Sequence, residues 1–202
     1  VDEAHERSLN IDFVLGLLKR VLNVRHDLKI IISSATMNAE KFSTYFDGCP
    51  IVTIDTITYP VTVIYDPPSI PASTSTLTAQ EALLSKIANT IDRILYNKTE
   101  GDILIFLPGE KAIKDCINKL YSSPFSRKIH IIPLYGRLPK EDQEKVFSNA
   151  PFGRKKVIIS TNIAETSVTI DGITSVIDSG LAKLNFYSPR TFTSSLIETP
   201  IS

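Results

Sequence analysis

The sequence has 202 residues with 22 basic and 22 acidic side chains, so its formal net charge at pH 7 is zero. That balance excludes a surface that is basic as a whole, and it restricts nucleic-acid binding to a local groove or to backbone amides and hydroxyls. The apolar runs are shorter than a membrane span, so we expect no membrane association and a cytoplasmic location, or a nuclear one in a eukaryote. The two cysteines, Cys49 and Cys116, have no metal-ligand spacing and are expected to be reduced interior thiols.

The first part of the chain predicts alternating helices and strands. Apolar residues recur at helical spacing from Leu9 to Asn23, with Ser8 or Asn10 as the helix cap. A second helix is predicted from Asn38 to Phe46. Short apolar or alternating runs predict strands over Leu28–Ser33, Ile51–Ile54 and Val61–Tyr65.

Residues 67–76 are rich in proline, serine and threonine, which is typical of a linker between a domain at 1–66 and a domain at 77–202. The second domain repeats the alternating order, which predicts the α/β class with parallel sheets flanked by helices. Its predicted helices are 77–96, 110–121 and 140–147, and its predicted strands are 102–107, 129–133, 156–160 and 175–178. A late hairpin is predicted from Leu184 to Ile197, with its turn at Ser188, Pro189 and Arg190.

An acidic pair near the start, Asp2 and Glu3, is followed by His5. At a strand end, one carboxylate can hold hydrated Mg²⁺ beside phosphates while the other polarises the attacking water. The alternative is a solvated helix entry. The phosphate loop G-x-x-x-x-G-K-[ST] that should precede such a pair does not occur in these residues, so a piece of a larger motor is expected.

Three further segments combine apolar strands with polar ends. Ser34-Ala35-Thr36 can place hydroxyls at a ligand-binding sheet edge, or it can simply cap a helix. Pro108-Gly109 can bring backbone amides close to a phosphate, or it can be a plain turn. Residues 160–172 interleave hydroxyls and carboxylates with apolar residues, which favours a loop with a buried back and a ligand-facing front over a purely structural loop.

Together these segments resemble the DEAH-box RNA helicases of superfamily 2, which are P-loop NTPases. Residues 2–8 resemble motif II, 34–36 motif III, 102–109 motif IV and 161–172 motif V, in matching order. Residues 8–12 favour the bacterial-type branch. The resemblance implies the C-terminal part of one RecA-like domain and most of a second, with nucleotide between them and RNA across both.

The resemblance also implies the following roles. Asp2 would help hold Mg²⁺ through water, Glu3 would orient the attacking water, and His5 would link the phosphate side to the second domain. The residues implied to couple hydrolysis to motion are Ser34 and Thr36; those implied to contact nucleotide are Phe147, Ser167, Thr169 and Asp171; those implied to contact RNA are Gly109, Arg137, Thr161 and Asn162. A core position is the alternative for Phe147.

The chain is thus expected to be part of the motor core of an ATP-dependent helicase that translocates on RNA and unwinds it. Its expected cofactors are Mg²⁺ and ATP, with other nucleoside triphosphates as an alternative, and its expected partners are single-stranded or partly duplex RNA and an activating protein. Without the phosphate loop and the arginine-rich motif VI, this chain alone is expected to be inactive. The alternatives are a non-processive RNA-binding clamp and a DNA helicase of the same superfamily.

Overall fold

The computed structural model describes residues 1–34, 39–54, 59–69, 76–166, 169–188, 190 and 192–201. The chain forms two compact units, Val1–Val63 and Ile64–Ser202. The linker at 67–76 stays a prediction, since residues 70–75 lie outside the described part of the chain.

The first unit contains a 3-10 turn, Ala4–Glu6, and two helices, α1 (Leu9–Leu22) and α2 (Ala39–Tyr45). Both helices match the sequence prediction within two residues. Ser8 caps α1, because its side-chain oxygen accepts a hydrogen bond from the Ile11 amide at 3.2 Å. Leu15 is the residue of α1 that is buried.

The three strands predicted in the first unit are wrong: 28–33, 51–54 and the described residues 61–65 carry no assigned strand. A strand exists only where a neighbouring strand receives its backbone hydrogen bonds, and apolar alternation alone does not supply that neighbour. The first run has a partial partner, because the Ser33 amide donates to Val1 O at 2.9 Å and the Ala4 amide donates to Ser33 O at 3.1 Å. Val52 is 84% exposed and Val63 86% exposed, so the apolar side chains of the other two runs are not buried.

The second unit is built on a four-stranded parallel sheet in the order β2-β3-β1-β4. The strands are β1 (Asp102–Phe106), β2 (Ile129–Leu134), β3 (Lys155–Ser160) and β4 (Ile173–Asp178). The helices are α3 (Thr76–Tyr96), α4 (Glu110–Tyr121), α5 (Lys140–Gln143) and α6 (Ile163–Thr166), with 3-10 turns at Ser126–Lys128 and Glu144–Phe147. This confirms the predicted α/β class.

Alternate residues of the inner strands pack on opposite faces of the sheet. On one face, Ile103, Ile105 and Val157 pack with residues of α3 and α4. On the other face, Leu104 and Ile158 pack with residues of the 3-10 turn after α5 and of α6. The inner strands β1 and β3 are continuous apolar runs, as expected for strands of a parallel sheet that are covered on both faces.

After β4 the chain forms an antiparallel hairpin of β5 (Leu181–Ser188) and β6 (Thr193–Pro200). The predicted hairpin is confirmed and is longer than expected; Pro189 of its predicted turn lies outside the described residues. The predicted helix 140–147 is a short α5 continued by the 3-10 turn Glu144–Phe147. No helix in the described ranges has the length and apolarity needed to cross a bilayer.

Candidate functional sites

In the first unit, Asp2 is held by a hydroxyl and an amide. The Ser33 hydroxyl donates to Asp2 Oδ1, and the Glu3 amide donates to the same oxygen at 2.9 Å. These two hydrogen bonds hold the pKa of the exposed Asp2 carboxyl below its ordinary value, and the bond from the Ser33 hydroxyl has the larger effect. Asp2 is therefore an ionised carboxylate at neutral pH, and Oδ2 is its oxygen outside these two bonds.

Glu3, His5 and Ser34 form a second chain of contacts. His5 Nε2 lies 3.2 Å from Glu3 Oε2, and His5 Nδ1 lies 3.3 Å from Ser34 Oγ. The imidazole side chain is 14% exposed, whereas the Glu3 side chain is 46% exposed. The histidine therefore joins the acidic pair to the first hydroxyl of the predicted motif III.

The backbone fixes this cluster. Glu3 and Arg7 have φ angles of 53° and 47°, in the left-handed region that non-glycine residues seldom occupy. Between them Ala4 is fully buried, and its amide donates to Ser33 O. Arg7 makes two bonds to the Asp12 carboxylate at 2.8 and 3.0 Å. Such conformations persist only where surrounding contacts determine them, and they cluster at functional sites.

The cluster suits a hydrated Mg²⁺, which binds oxygen ligands and retains several waters. Asp2 offers an ionised, exposed oxygen for a water-mediated contact. Among the described residues, no group of three or more His, Cys, Asp or Glu side chains could hold a metal by itself. Asp2 would therefore contact the ion through a water molecule of the ion's hydration shell. Thr36 of the predicted site lies outside the described residues.

In the second unit, the four predicted RNA contacts lie on loops that follow three adjacent strands. Arg137 follows β2, Thr161 and Asn162 follow β3, and Gly109 follows β1. Since the strands are parallel, all these loops are at the carboxyl edge, where open α/β sheets bind ligands. Backbone bonds tie the loops together: Thr161 N donates to Leu134 O at 3.1 Å, and Leu107 N donates to Ser160 O at 2.9 Å.

These four residues differ in accessibility. Arg137 and Asn162 are exposed, Thr161 is half-buried and Gly109 is buried. A Cβ at Gly109 would lie 2.9 Å from Lys183 Nζ of β5, so a cation fills the place of a side chain. Gly109 also lines a cavity of about 500 Å³ whose wall includes Lys111, Lys183 and Glu198.

The described nucleotide candidates lie toward the opposite end of the sheet. Phe147 ends the 3-10 turn that precedes β3, and its ring is 61% exposed, so the core alternative for this residue is wrong. Asp171 is exposed in the turn that leads into β4, and Thr169 is exposed just before it. Ser167 lies outside the described residues.

Three contacts of these sites were missed at the sequence level. Ser33, one residue before the predicted triplet, holds Asp2. Lys156 is 4% exposed, and its ammonium donates to the carbonyls of Val146 at 3.0 Å and Ser148 at 3.3 Å. Asp102 Oδ1 accepts a bond from the Lys156 amide at 3.0 Å. An apolar strand that begins with lysines carries no signal that one lysine points inward.

Residues 85–194 match the family described as helicase conserved C-terminal domain. Over 202 residues the chain is 50% identical to an ATP-dependent RNA helicase HrpA of Borreliella burgdorferi, covering 100% of this chain and 24% of that protein. It is 42% identical over 207 residues to the pre-mRNA-splicing factor ATP-dependent RNA helicase prp22 of Schizosaccharomyces pombe, covering 100% of this chain and 17% of that protein.

The fold is similar to the crystal structure of the E. coli DExH-box NTPase HrpB, with a TM-score of 0.80 and 34% identity. That match covers 99% of this chain and 24% of the HrpB chain. The chain therefore spans a quarter or less of the length of these relatives. Relatives from bacteria and from a yeast both match, so the branch stays a prediction.

Proposed function

This chain belongs to the DEAH-box RNA helicase family of superfamily 2, whose conserved C-terminal domain it carries, and we propose that it is part of the motor core of an ATP-dependent RNA helicase. In the complete protein, ATP hydrolysis would be coupled to translocation along RNA and to unwinding. The observation that carries this proposal is the contact chain Glu3–His5–Ser34 beside the ionised Asp2.

The acidic cluster is proposed to serve hydrolysis. Bound Mg²⁺ would supply charge stabilisation at the phosphates. Asp2 would hold a water of the metal shell, and Glu3, half-exposed beside His5, would orient the attacking water. His5 would report the state of the acidic pair to Ser34, because it contacts both.

The test compares two Glu→Gln substitutions in a protein of the relatives' length that contains this chain. Glu3→Gln removes the carboxylate and is expected to lower the ATP turnover number by roughly 10² to 10⁴, with nucleotide binding retained. Glu40→Gln, at an exposed position in the first turn of α2, is the matched control and should leave turnover unchanged. Equal turnover in Glu3→Gln and Glu40→Gln proteins would reject the hydrolytic role.

The carboxyl edge of the second sheet is proposed to bind RNA phosphates. Arg137 and Asn162 are exposed on neighbouring loops, and Lys183 adds positive charge beside Gly109. Backbone and side-chain donors of this kind position a nucleic acid without reading its sequence. The two cations Arg137 and Lys183 at this edge are compatible with a chain of zero net charge.

Arg137→Gln is expected to weaken RNA binding for all sequences and to reduce the salt dependence of affinity by about one charge. Arg154→Gln is the control, because Arg154 is exposed in the turn before β3, at the other end of the sheet. Competition between RNA and DNA strands separates an RNA helicase from a DNA helicase. RNA binding without RNA-stimulated ATP turnover would instead identify a clamp.

Phe147 is proposed to stack on the nucleotide base, with Asp171, Thr169 and Ser167 near the ribose and phosphates. An aromatic ring stacks on any base, so several nucleoside triphosphates would be accepted. Phe147→Ala should raise KM for ATP about tenfold. It should leave inhibition by tripolyphosphate, which has no base, unchanged. Phe152→Ala is the control, because Phe152 is fully exposed nearby and has no proposed role.

Residues 1–202 alone are proposed to show no appreciable ATP turnover, since no G-x-x-x-x-G-K-[ST] sequence is present to grip the phosphates. Turnover by this chain that survives Glu3→Gln would contradict the proposal. An activating protein partner and a cytoplasmic location, or a nuclear one in a eukaryote, belong to the same proposal for the complete protein. They rest on the family resemblance alone.

A further inference from the structure

Lys156 is a buried lysine at the second position of β3. Its side chain is 5% exposed, and its ammonium donates to Val146 O at 3.0 Å and Ser148 O at 3.3 Å. The same ammonium lies 3.7 Å from Asp102 Oδ2. Lysine is almost never this buried unless it is paired, because desolvating an ammonium is costly.

The two carbonyls that Lys156 holds are those on either side of Phe147. Val146 is 1% exposed and belongs to the core cluster on this face of the sheet, whereas the adjacent Phe147 is 61% exposed. The Lys156 ammonium therefore holds the backbone of this turn on both sides of Phe147. With its backbone held at both flanks, the turn presents the Phe147 ring on its exposed side.

Asp102 connects the same lysine to a second turn. Its Oδ1 accepts the Lys156 amide at 3.0 Å, and its own amide donates to Gly172 O at 2.7 Å. Gly172 has a φ of +84°, and a Cβ there would lie 3.5 Å from Asp102 Oδ2. The exposed Asp171 directly precedes this glycine. The buried Lys156 and the half-buried Asp102 therefore join the Phe147 turn to the Asp171 turn.

Stability alone is a weak reason for such a pair. Replacing a buried ion pair by apolar residues of similar volume is often neutral or stabilising, whereas removing one partner leaves groups unpaired. An apolar residue at 156 would continue the run Val157–Ile159 but would give the carbonyls of Val146 and Ser148 no donor. What the pair supplies is the relative position of two turns that come from different segments.

We propose that the Lys156–Asp102 pair is a positioning element that sets the base-contacting turn at Phe147 and the ribose-contacting turn at Asp171 in one fixed arrangement. The assignment of these turns to nucleotide rests on the proposed function; the positioning itself does not. Lys156 and Asp102 act through the turns and do not touch the nucleotide.

The direct test needs no nucleotide. The chain has no tryptophan, so Phe147→Trp creates a single tryptophan at the exposed position, which can be excited selectively at wavelengths where the tyrosines do not absorb. In this background we expect Lys156→Met to increase the fast component of the time-resolved anisotropy at least about twofold, because the turn loses both donors. Lys156→Arg, which retains donors, should restore most of the slow component.

Lys155→Met is the matched control for the anisotropy measurement. Lys155 is the neighbouring lysine of β3, and its ammonium donates to the carbonyls of Thr99, at 2.6 Å, and Gly101, away from the Phe147 turn. Urea unfolding checks that each variant is folded. If Lys156→Met does not fold, Lys156→Gln carries the test, since its polar but shorter side chain does not place a donor where the Lys156 ammonium meets both carbonyls. Anisotropy equal to that of the Lys155→Met protein would overturn the proposal.

A second measurement uses a protein of the relatives' length that contains this chain. Lys156→Met is expected to raise KM for ATP about tenfold with kcat little changed, and to leave tripolyphosphate inhibition unaffected. Combined with Phe147→Ala, it should raise KM by less than the product of the two single effects, since both act through one ring. A full product would overturn the proposal. If Phe147→Ala alone leaves KM unchanged, the base-stacking function fails, and the anisotropy still decides the positioning.

Discussion

The two units of this chain use apolar residues in different ways. In the second unit both sheet faces are covered, and Ile103, Ile105 and Ile159 are fully buried. Among the described residues of the first unit, Ala4 is the apolar residue that is fully buried, while Ile31, Val52 and Val63 are more than four-fifths exposed. The predicted site residues are thus held in the first unit by hydrogen bonds and backbone geometry, and in the second unit by a packed sheet.

The difference teaches that one pattern has two outcomes. The apolar run Val157–Ile159 becomes the centre of a strand, because β1 and β2 lie on either side of β3. The similar run Ile30–Ile32 has no assigned strand, although the Ser33 amide directly after it donates a hydrogen bond to Val1 O. An apolar run therefore indicates that burial is favoured, and the availability of neighbouring strands decides whether a strand forms.

The largest contrast between the units is expected in thiol reactivity. Burial raises the pKa of the Cys116 thiol to about 12, and this residue is fully buried. At pH 8 roughly one molecule in ten thousand would carry its thiolate. Cys49 is half-buried, so the interior-thiol prediction holds for Cys116 alone. Reaction with a chromogenic disulfide should show one fast thiol, which Cys49→Ser removes; two fast thiols would show that the second unit opens readily.

A smaller contrast is expected in stability. Ile105→Ala removes a fully buried side chain between helices and sheet, and it should lower the free energy of unfolding by about 2–5 kcal/mol. Ile54→Ala makes the same change at a residue that is 80% exposed in the first unit, and it should alter stability by less than about 0.5 kcal/mol. Urea denaturation measures both. Equal effects would mean that the first unit has a core this structure does not contain.

A third contrast separates two glycines of the second unit. Gly101 has a φ of +73°, and a Cβ there would overlap Thr174 and lie 2.8 Å from Gly172 O. Gly153 has a φ of +77°, with nothing within 4 Å of a Cβ. Gly153→Ala should cost about 1 kcal/mol from backbone strain alone, and Gly101→Ala clearly more. The difference in their urea midpoints measures the close approach at the start of β1.

The smallest effect is expected at Asp2. Ser33→Ala removes the main cause of its lowered pKa, so the carboxyl should titrate at higher pH in an NMR titration. Because the folded pKa lies below the unfolded one, the hydroxyl's contribution to stability is present near neutral pH and is lost as pH falls through the folded pKa. Ser34→Ala is the control, since Ser34 contacts His5, and it should leave the Asp2 titration in place. An unshifted titration in the Ser33→Ala protein would assign the lowered pKa to the Glu3 amide.

The sequence was informative where local and tertiary signals agree. The bounds of β1, β2, β3 and α4 were predicted to within one residue, because each apolar run is also flanked by glycine, proline or polar turns, whereas β4 and the hairpin extend two or three residues beyond their predicted bounds. Asp2, Glu3, His5 and Ser34 were predicted as site residues, and the structure brings them into contact, while their roles stay predictions.

What the sequence could not provide were contacts set by tertiary structure. Ser33 and Ser34 are chemically identical neighbours, and only the backbone geometry sends one hydroxyl to Asp2 and the other to His5. Lys155 and Lys156 are another such pair, one directed to the loop before β1 and the other into the protein. Because successive side chains of a strand point to opposite faces of the sheet, the two lysines must differ, but the sequence does not show which of the two faces is exposed to solvent.

The hairpin has a mechanical consequence. Each strand has eight residues, and at about 3.4 Å per residue its tip lies roughly 24 Å from its base. Two hydrogen bonds among the described residues connect its base to the ends of β1 and β4: Ser179 N to Phe106 O at 3.2 Å, and Gly180 N to Asp178 Oδ1 at 2.8 Å. A rotation of about 10° at this base would displace the tip by about 4 Å, comparable to the spacing of neighbouring strands. The base of the hairpin lies at the ends of β1 and β4, so a small change of angle there gives a larger displacement at the tip.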